Sequence, residues 1–181
     1  MANTVANNFG IFGQGAGEQA PNTACSGTVQ LWPLGYVAKA RDPNLGYGEF
    51  VYCVGAAASA PTAGDFVLLN AGWTAQQVAS GNTASLGPCG VAMAALSATN
   101  VYGWVQVQGL NNFCNLGTQG VGTLATPVCI GSTAGRAQTT AGATGYVIGG
   151  AYIGGTANYS TTNSNSALVQ LMYPFYNHEA R

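Results

Sequence analysis

The sequence has very few ionised side chains. It contains four Lys or Arg and five Asp or Glu among 181 residues, a charged content of 5%, whereas an average soluble domain has about 25%. Four basic residues cannot neutralise the several phosphates of a nucleic-acid partner, so none is expected. A net charge of −1 also gives little self-repulsion between copies. We interpret this as a surface covered by other protein, although uncharged polar side chains would also keep a free monomer soluble.

Side chains that carry catalytic or metal chemistry are scarce as well. The one histidine, His178, stands near the C-terminus, where it has no partner for a metal cluster or a catalytic pair. The five cysteines include no CxxC pair, which argues against a zinc or redox motif, and an odd number argues against a complete disulfide framework. Folding in a reducing cytoplasm fits this pattern. We expect no enzymatic activity, no metal and no cofactor.

The scattered charged residues have plain structural interpretations. Asp65 follows Gly64 in a turn setting, where an Asp side chain accepts hydrogen bonds from nearby backbone amides. Lys39, the one lysine, is interpreted as a member of a local ion pair. Glu49 and Asp65 would form a glycosidase-like pair only if the fold brought them together, and their spacing alone gives no support for that.

Long apolar runs and helical periodicity are also missing. The longest apolar-looking stretch, residues 50–69, is interrupted by glycine, proline and aspartate, so it predicts no membrane span. The opening MANTVANN lacks the pattern of a secretory signal. Only residues 75–80 and 92–98 are compatible with short helices, because no segment has a sustained 3.6-residue apolar period. No membrane association is expected.

What the sequence does have is a succession of short segments that alternate in polarity, with Gly, Pro or Asn between them. This pattern predicts an all-β fold, either a compact β-barrel or a β-sandwich. Residues 1–27 are rich in Asn, Gly and Gln and are predicted to form an extended N-terminal arm. Residues 28–173 are predicted to form the β domain, and residues 174–181 a C-terminal tail. The predicted strands are TVQLW, GYVAKA, EFVYCV, DFVLLN, CGVAMAAL, VYGWVQVQ, TPVCI, GYVIGGAYI and SALVQLMY.

The clearest predicted strand, YGWVQVQGL, places large uncharged side chains on the face opposite its valines. The valine face is the predicted core face. Aromatic and amide side chains without charge are typical of protein interfaces, so the other face is a candidate intermolecular surface. The alternative is that the tryptophan packs under a loop of its own chain. The candidate face comprises Tyr102, Trp104, Gln106 and Gln108.

The two termini supply further candidate contacts. In the arm, the apolar side chains of Phe9, Ile11 and Phe12 are the candidate anchors. Near the C-terminus, aromatic residues flank a proline, and they are expected either to dock on a partner or to close the barrel. These residues are Tyr173, Phe175 and Tyr176.

The segments GDFVLL, GVAMAAL and WVQVQG, followed by GRAQTT, GYVIGGAYI and ALVQLM, resemble the strand order of tailed-bacteriophage capsid decoration (cement or head-stabilising) proteins. The resemblance covers residues 49–173. It implies a β-barrel or β-tulip-like body on the outside of a capsid, commonly as a trimer, with the major capsid protein as partner. The preceding TVQLWPLGYVAKARDPNLGYG departs from small members of that group.

We therefore expect a structural virion protein that stabilises a phage shell by bridging capsid subunits. Its expected location is the capsid exterior, after assembly in the host cytoplasm. Many copies, each bridging subunits through a nearly uncharged face, would give an avid contact that tolerates changes in salt. The alternative is a head-fibre, knob or tail adhesin whose Thr/Asn/Ser-rich loop at 154–166 binds a host surface glycan.

Overall fold

The computed structural model confirms the predicted all-β class, and the part of the chain that it describes contains twelve strands and one short 3-10 turn, Ala71–Trp73. It describes residues 10–11, 25–26, 30–42, 45–57, 59–79, 87–97, 99–117, 124–130, 133–138, 146–155 and 166–180. Within those ranges, no helix has the length and apolar character needed to cross a membrane. The strands are β1 Gly10–Ile11, β2 Cys25–Ser26, β3 Val37–Asp42, β4 Gly46–Gly55, β5 Phe66–Asn70, β6 Thr74–Gln77, β7 Gly87–Ala92, β8 Val101–Asn115, β9 Pro127–Ile130, β10 Ala137–Gln138, β11 Tyr146–Ile153 and β12 Ser166–Ala180.

Five strands close a first ring. β4, β6, β5, β7 and β8 pair in that order, and β8 pairs back to β4. The β4–β6 pairing is parallel and the other four are antiparallel. The ring encloses mainly small and β-branched side chains, with two leucines, and these suit the narrow interior of a barrel of this size. They are Val51, Cys53, Val67, Leu69, Ala75, Ala92, Leu96, Val101, Val105 and Val107.

A second ring uses the other half of β8. β8, β12, β11, β9 and β10 pair in order, and Leu116, just beyond β8, forms a parallel bridge to Ala137 in β10. β4 pairs with the first half of β8 up to Gln108, whereas β12 pairs with the second half from Gln108 onward. The fifteen-residue β8 is therefore common to both rings.

The core of the second ring also packs against the outside of the first. β5 shows this most simply, because Val67 and Leu69 face the first core while Phe66 and Leu68 face the second. Side chains on a strand alternate between its two faces, so a strand between two cores is apolar throughout. This arrangement explains the uninterrupted apolar run FVLL in the sequence.

Asp65 connects the loops and strands at the junction of the two rings. Its side chain is 1% exposed. Its Oδ2 accepts hydrogen bonds from the backbone N–H and hydroxyl of Thr62, both at 2.8 Å, and from Nε2 of Gln77 at 2.7 Å. Its Oδ1 accepts one from Nδ2 of Asn115 at 2.8 Å and lies 3.9 Å from Nε of Arg136. The turn prediction for Asp65 is confirmed, and a buried carboxylate with this many donors is well compensated.

Three local predictions differ from the structure. Residues 74–77 form β6 rather than a helix, and β7 extends to Ala92, so the helical alternatives at 75–80 and 92–98 are wrong. The separate tail from residue 174 is also wrong, because β12 continues to Ala180. In the predicted arm, β1 pairs with β3 and β2 pairs with β8, so these two segments join the main sheet.

Candidate binding surfaces

The polar face of β8 is largely internal. Trp104 and Gln106 are 0% and 1% exposed within their own chain. Phe50 and Tyr52 of β4 lie in the same buried cluster as Trp104, and Trp32 packs against it from the segment before β3. The prediction of an exposed intermolecular face is therefore wrong for Trp104 and Gln106, and the alternative, packing under a segment of the same chain, is correct. Tyr102 and Gln108 are half-buried.

Gln106 has a local structural role, because it stabilises a kink in β8. Its Nε2 donates to the carbonyl oxygens of Gln108 and Leu110, at 3.1 and 3.0 Å. Its Oε1 accepts from Nδ2 of Asn111 at 2.9 Å. Gly109, between these carbonyls, has a φ of +100°. The amide pair thus holds the point at which β8 passes from the first ring to the second, which is why a glutamine is buried here.

An exposed apolar surface forms where β12 bulges. Gly149 and Ala151 of β11, two residues apart, pair with Phe175 and Leu171 of β12, which are four residues apart. Residues 172–174 therefore have no partner in β11, although Met172 pairs with Gln108 of β8. Such a bulge changes the direction in which the side chains of its strand point. We call the exposed side chains here and on adjacent β4 the bulge patch. It comprises Tyr47, Met172, Tyr173 and Phe175, which are 61%, 59%, 61% and 48% exposed.

Three polar side chains hold the bulge patch in place. The hydroxyl of Tyr173 donates to Oε2 of Glu49, and Nζ of Lys39 lies 2.8 Å from Oε1 of the same carboxylate. Lys39 and Glu49 face each other on β3 and β4, and Gln108 of β8 lies opposite Glu49 on its other side. We call Lys39, Glu49 and Tyr173 the clasp. The ion pair predicted for Lys39 is confirmed, with Glu49 as its partner.

Electrostatics keep the clasp in one protonation state over a wide pH range. Hydrogen bonding to Lys39, and then to Tyr173, lowers the pKa of Glu49. The bond to Glu49 raises the pKa of Tyr173, and the same carboxylate raises the pKa of Lys39. Each shift favours the protonation states that make the bonds. At neutral pH both oxygens of the Glu49 carboxylate therefore have partners within the chain, so this carboxylate is not free to react.

Of the remaining candidate contact residues, some are exposed, one is buried and some lie outside the described residues. Tyr173 and Phe175 are exposed, as a docking role requires, whereas Tyr176 is buried in the second core and donates to the carbonyl of Ala79 at 3.2 Å. Its alternative role in closing the barrel is therefore the one observed. Ile11 belongs to β1. Phe9 and Phe12 lie outside the described residues, as do positions 156–165 of the predicted glycan-binding loop.

A second exposed aromatic surface was missed by the sequence analysis. Tyr36 and Trp73 are 41% and 40% exposed, and Trp32 stacks on Tyr36 with ring centroids 5.0 Å apart and planes at 12°. A Cβ placed on Gly35 would lie 2.2 Å from Nε1 of Trp73, so the indole of Trp73 lies directly on Gly35. We call Trp32, Tyr36 and Trp73, together with Gly35, the aromatic platform. Its signal in the sequence is tryptophan beside turn residues, in LWPLGY and NAGWT.

The Cys, Asp and Glu side chains that the structure describes, which are the types able to act as nucleophiles or metal ligands, have structural roles. Cys53, Cys89 and Cys114 are buried free thiols, and burial raises the pKa of each. Among the residues that the structure describes, no group of three or more His, Cys, Asp or Glu side chains is arranged to hold a metal ion. Glu49 and Asp65 have separate sets of partners, one in the clasp and one at the ring junction. No glycosidase-like pair is formed.

Comparison with protein-family models, curated proteins and solved structures finds no significant match for this chain. The functional interpretation therefore depends on the two exposed surfaces. The bulge patch lies at the junction of β4, β8 and β12, whereas the aromatic platform lies before β3 and at the turn before β6.

Proposed function

We propose that this chain is a structural virion protein that binds the outside of a tailed-phage capsid and stabilises the shell by bridging capsid subunits. Its partners are the major capsid protein and other copies of itself, as a homo-oligomer and most simply a trimer. The observation that carries the proposal is the bulge patch, an exposed surface of large apolar side chains on a chain with nine ionised side chains among 181 residues.

The composition of the bulge patch suits a protein contact. Interfaces are enriched in tyrosine, phenylalanine and methionine, and their centres are depleted in charge. A few such residues supply most of the binding energy when a partner excludes water around them. Tyr47, Met172, Tyr173 and Phe175 are residues of these types. The Lys39–Glu49 pair at the edge of the patch is already neutralised within the chain.

The geometry of the bulge patch favours binding over a purely structural role. Tyr173 has a φ of +50°, a backbone conformation that a bulky side chain rarely adopts. Strained residues are often retained where they serve a function. The clasp fixes the phenol of Tyr173 before any partner arrives, so less conformational entropy is lost on association. Because a shell carries many copies, avidity then makes the overall binding strong even if each single contact is weak.

The proposal is tested by adding the purified chain to capsids from which the native copies have been stripped. We expect the chain to rebind and to raise the temperature at which the shells disrupt. Phe175→Glu should weaken rebinding by about tenfold or more, because the contact would bury an unpaired charge. Leu124→Glu is the matched control, since Leu124 is 70% exposed and outside the bulge patch.

Two outcomes would contradict the proposal. If the wild-type chain fails to rebind stripped capsids, the decoration role is wrong. If Phe175→Glu and Leu124→Glu rebind equally well, the role of the bulge patch is wrong. Far-ultraviolet circular dichroism and thermal unfolding of both variants establish that a loss of binding does not reflect a loss of fold. Residues 1–27 are a proposed second contact, and their deletion should weaken rebinding.

A further inference from the structure

The aromatic platform presents aromatic side chains that the fold does not bury. No residue of the Ala71–Trp73 turn is buried, and Tyr36 lies at the surface just before β3. The exposed Leu31 and Val37 flank Trp32 and Tyr36 in the sequence. Aromatic side chains are costly to leave in water, so an exposed cluster of them indicates a contact with something else.

The backbone around the platform is strained in a way that presents these rings. Gly35 and Gly72 have φ values of +80° and +72°, and Trp73 itself has a φ of +59°. A bulky residue in this conformation is an outlier that costs free energy. The conformation lays the indole of Trp73 on Gly35, where any larger side chain would collide with it. This strained backbone places Trp73 against Gly35, the residue before Tyr36.

The platform also contains a hydrogen-bond donor that is not used within the chain. Nε1 of Trp32 is buried and has no hydrogen-bond partner, and the same holds for Nε1 of Trp104 beneath it. The Trp32 and Trp104 rings lie 6.4 Å apart between centroids. Buried N–H groups are nearly always paired in native proteins, so each unpaired one requires an explanation. Because Nε1 of Trp32 is buried, a ligand oxygen pairs with it only if the ring turns outward.

The surroundings of the platform are uncharged, which restricts the chemistry of a ligand. Residues 30–36, QLWPLGY, and residues 70–77, NAGWTAQQ, contain no ionised side chain. Phosphate, sulfate and carboxylate ligands would find no cation in either segment. The platform instead offers ring faces and amide side chains such as Gln30, whose Nε2 donates to the carbonyl of Trp32 at 2.6 Å.

We propose that the aromatic platform binds a neutral carbohydrate. A pyranose ring has one face of C–H bonds, which lies on the negative face of an aromatic ring, and a rim of hydroxyls that donate and accept hydrogen bonds. Trp73 and Tyr36 supply the ring faces. This site is separate from the bulge patch and from the loop at 154–166 that the sequence indicated.

The test titrates the full chain with neutral hexasaccharides, namely cellohexaose, maltohexaose and chitohexaose, with decaproline as a peptide that also favours aromatic surfaces. Isothermal calorimetry and tryptophan fluorescence measure binding. We expect at least one hexasaccharide to bind with a Kd between about 10 µM and 1 mM. Trp73→Ala and Tyr36→Ala should each weaken binding by about tenfold or more. Tyr152→Ala is the matched control, because Tyr152 is a half-exposed tyrosine on β11.

The proposal is overturned if none of the three hexasaccharides binds at concentrations up to about 10 mM. It is equally overturned if decaproline binds in their place, or if Tyr152→Ala weakens binding as much as Trp73→Ala. Thermal unfolding identifies any variant that fails to fold, and Tyr36→Phe, which keeps the ring, should then retain binding. Failure here is distinguishable from failure of the capsid role, since Trp73→Ala should still rebind stripped capsids and Phe175→Glu should still bind sugar.

Discussion

At the scale of single residues, the clasp shows why a protein with so few charges keeps a pair of them at one surface. Lys39 and Glu49 lie opposite each other on β3 and β4, and Tyr173 reaches the same carboxylate from the bulge of β12. A surface ion pair alone contributes little to stability, because water and salt screen it. Its larger role is to fix the position of an exposed tyrosine that the local backbone does not favour.

The clasp makes a prediction about pH. The lowered pKa of Glu49 means that its contribution is present above its ordinary value of 4.5 and is lost as pH falls through the lower pKa of the folded state. The raised pKa of Tyr173 means that its contribution is present below 10.0 and is lost as pH rises through the higher folded value. Tyr173→Phe should therefore lower the free energy of unfolding at pH 7 by up to about 1 kcal/mol.

Urea unfolding of both proteins from acid to alkaline pH measures this difference. It should be constant near neutrality and should shrink at both extremes. Carbon-13 labelling of the tyrosine rings gives a direct check, because the pKa of Tyr173 should fall when Glu49→Gln removes the charge. A difference in stability that does not change with pH would show that the hydroxyl acts without the carboxylate.

At the scale of elements, alternation in the sequence located most strands but not their lengths. EFVYCV, DFVLLN, TPVCI and GYVIGGAYI correspond to β4, β5, β9 and β11, although β5, β9 and β11 begin one residue later than the predicted segments. The predicted strand VYGWVQVQ ends at Gln108, yet β8 continues to Asn115. The reason is tertiary, because this half of β8 pairs with β12, a partner that becomes adjacent only in the folded chain.

The kink in β8 yields a prediction with a close control. Gly109 has a φ of +100°, and a Cβ there would lie 2.4 Å from the carbonyl oxygen of Tyr47. Gly46 has a φ of +83° with no atom within 4 Å of its would-be Cβ. In both alanine variants the positive φ should lower the free energy of unfolding by about 1–2 kcal/mol. Gly109→Ala must also displace β4, so it should cost about 1–3 kcal/mol more than Gly46→Ala in urea unfolding. Equal costs would show that the close approach of β4 is easily relieved.

At the scale of the whole molecule, the sequence indicated the class of fold and the scarcity of charge, but it misplaced the exposed surface. Period-2 alternation identifies which side chains share a face, yet it cannot show which faces a later segment covers. Trp104 was a candidate contact, and the segment at 32–36 covers it. Tyr173 and Phe175 were candidates as well, and a bulge in β12 leaves them exposed. Burial on both sides of a strand depends on topology, which short patterns do not encode.

Scarcity of charge predicts how the proposed assembly responds to salt. Raising ionic strength from about 0.05 to 0.5 M shortens the screening length several-fold and weakens contacts that depend on unpaired charges. The bulge patch consists of uncharged side chains beside the neutralised Lys39–Glu49 pair, so its contacts gain little from long-range attraction. Sedimentation velocity of the free chain and copy number on rebound capsids should therefore change less than about threefold over this range. A contact made through phosphates or through an acidic surface would weaken by tenfold or more, and that result would show that binding depends on the cations at the edge of the patch, Lys39 and Arg41, the second of which lies over the ring of Tyr47.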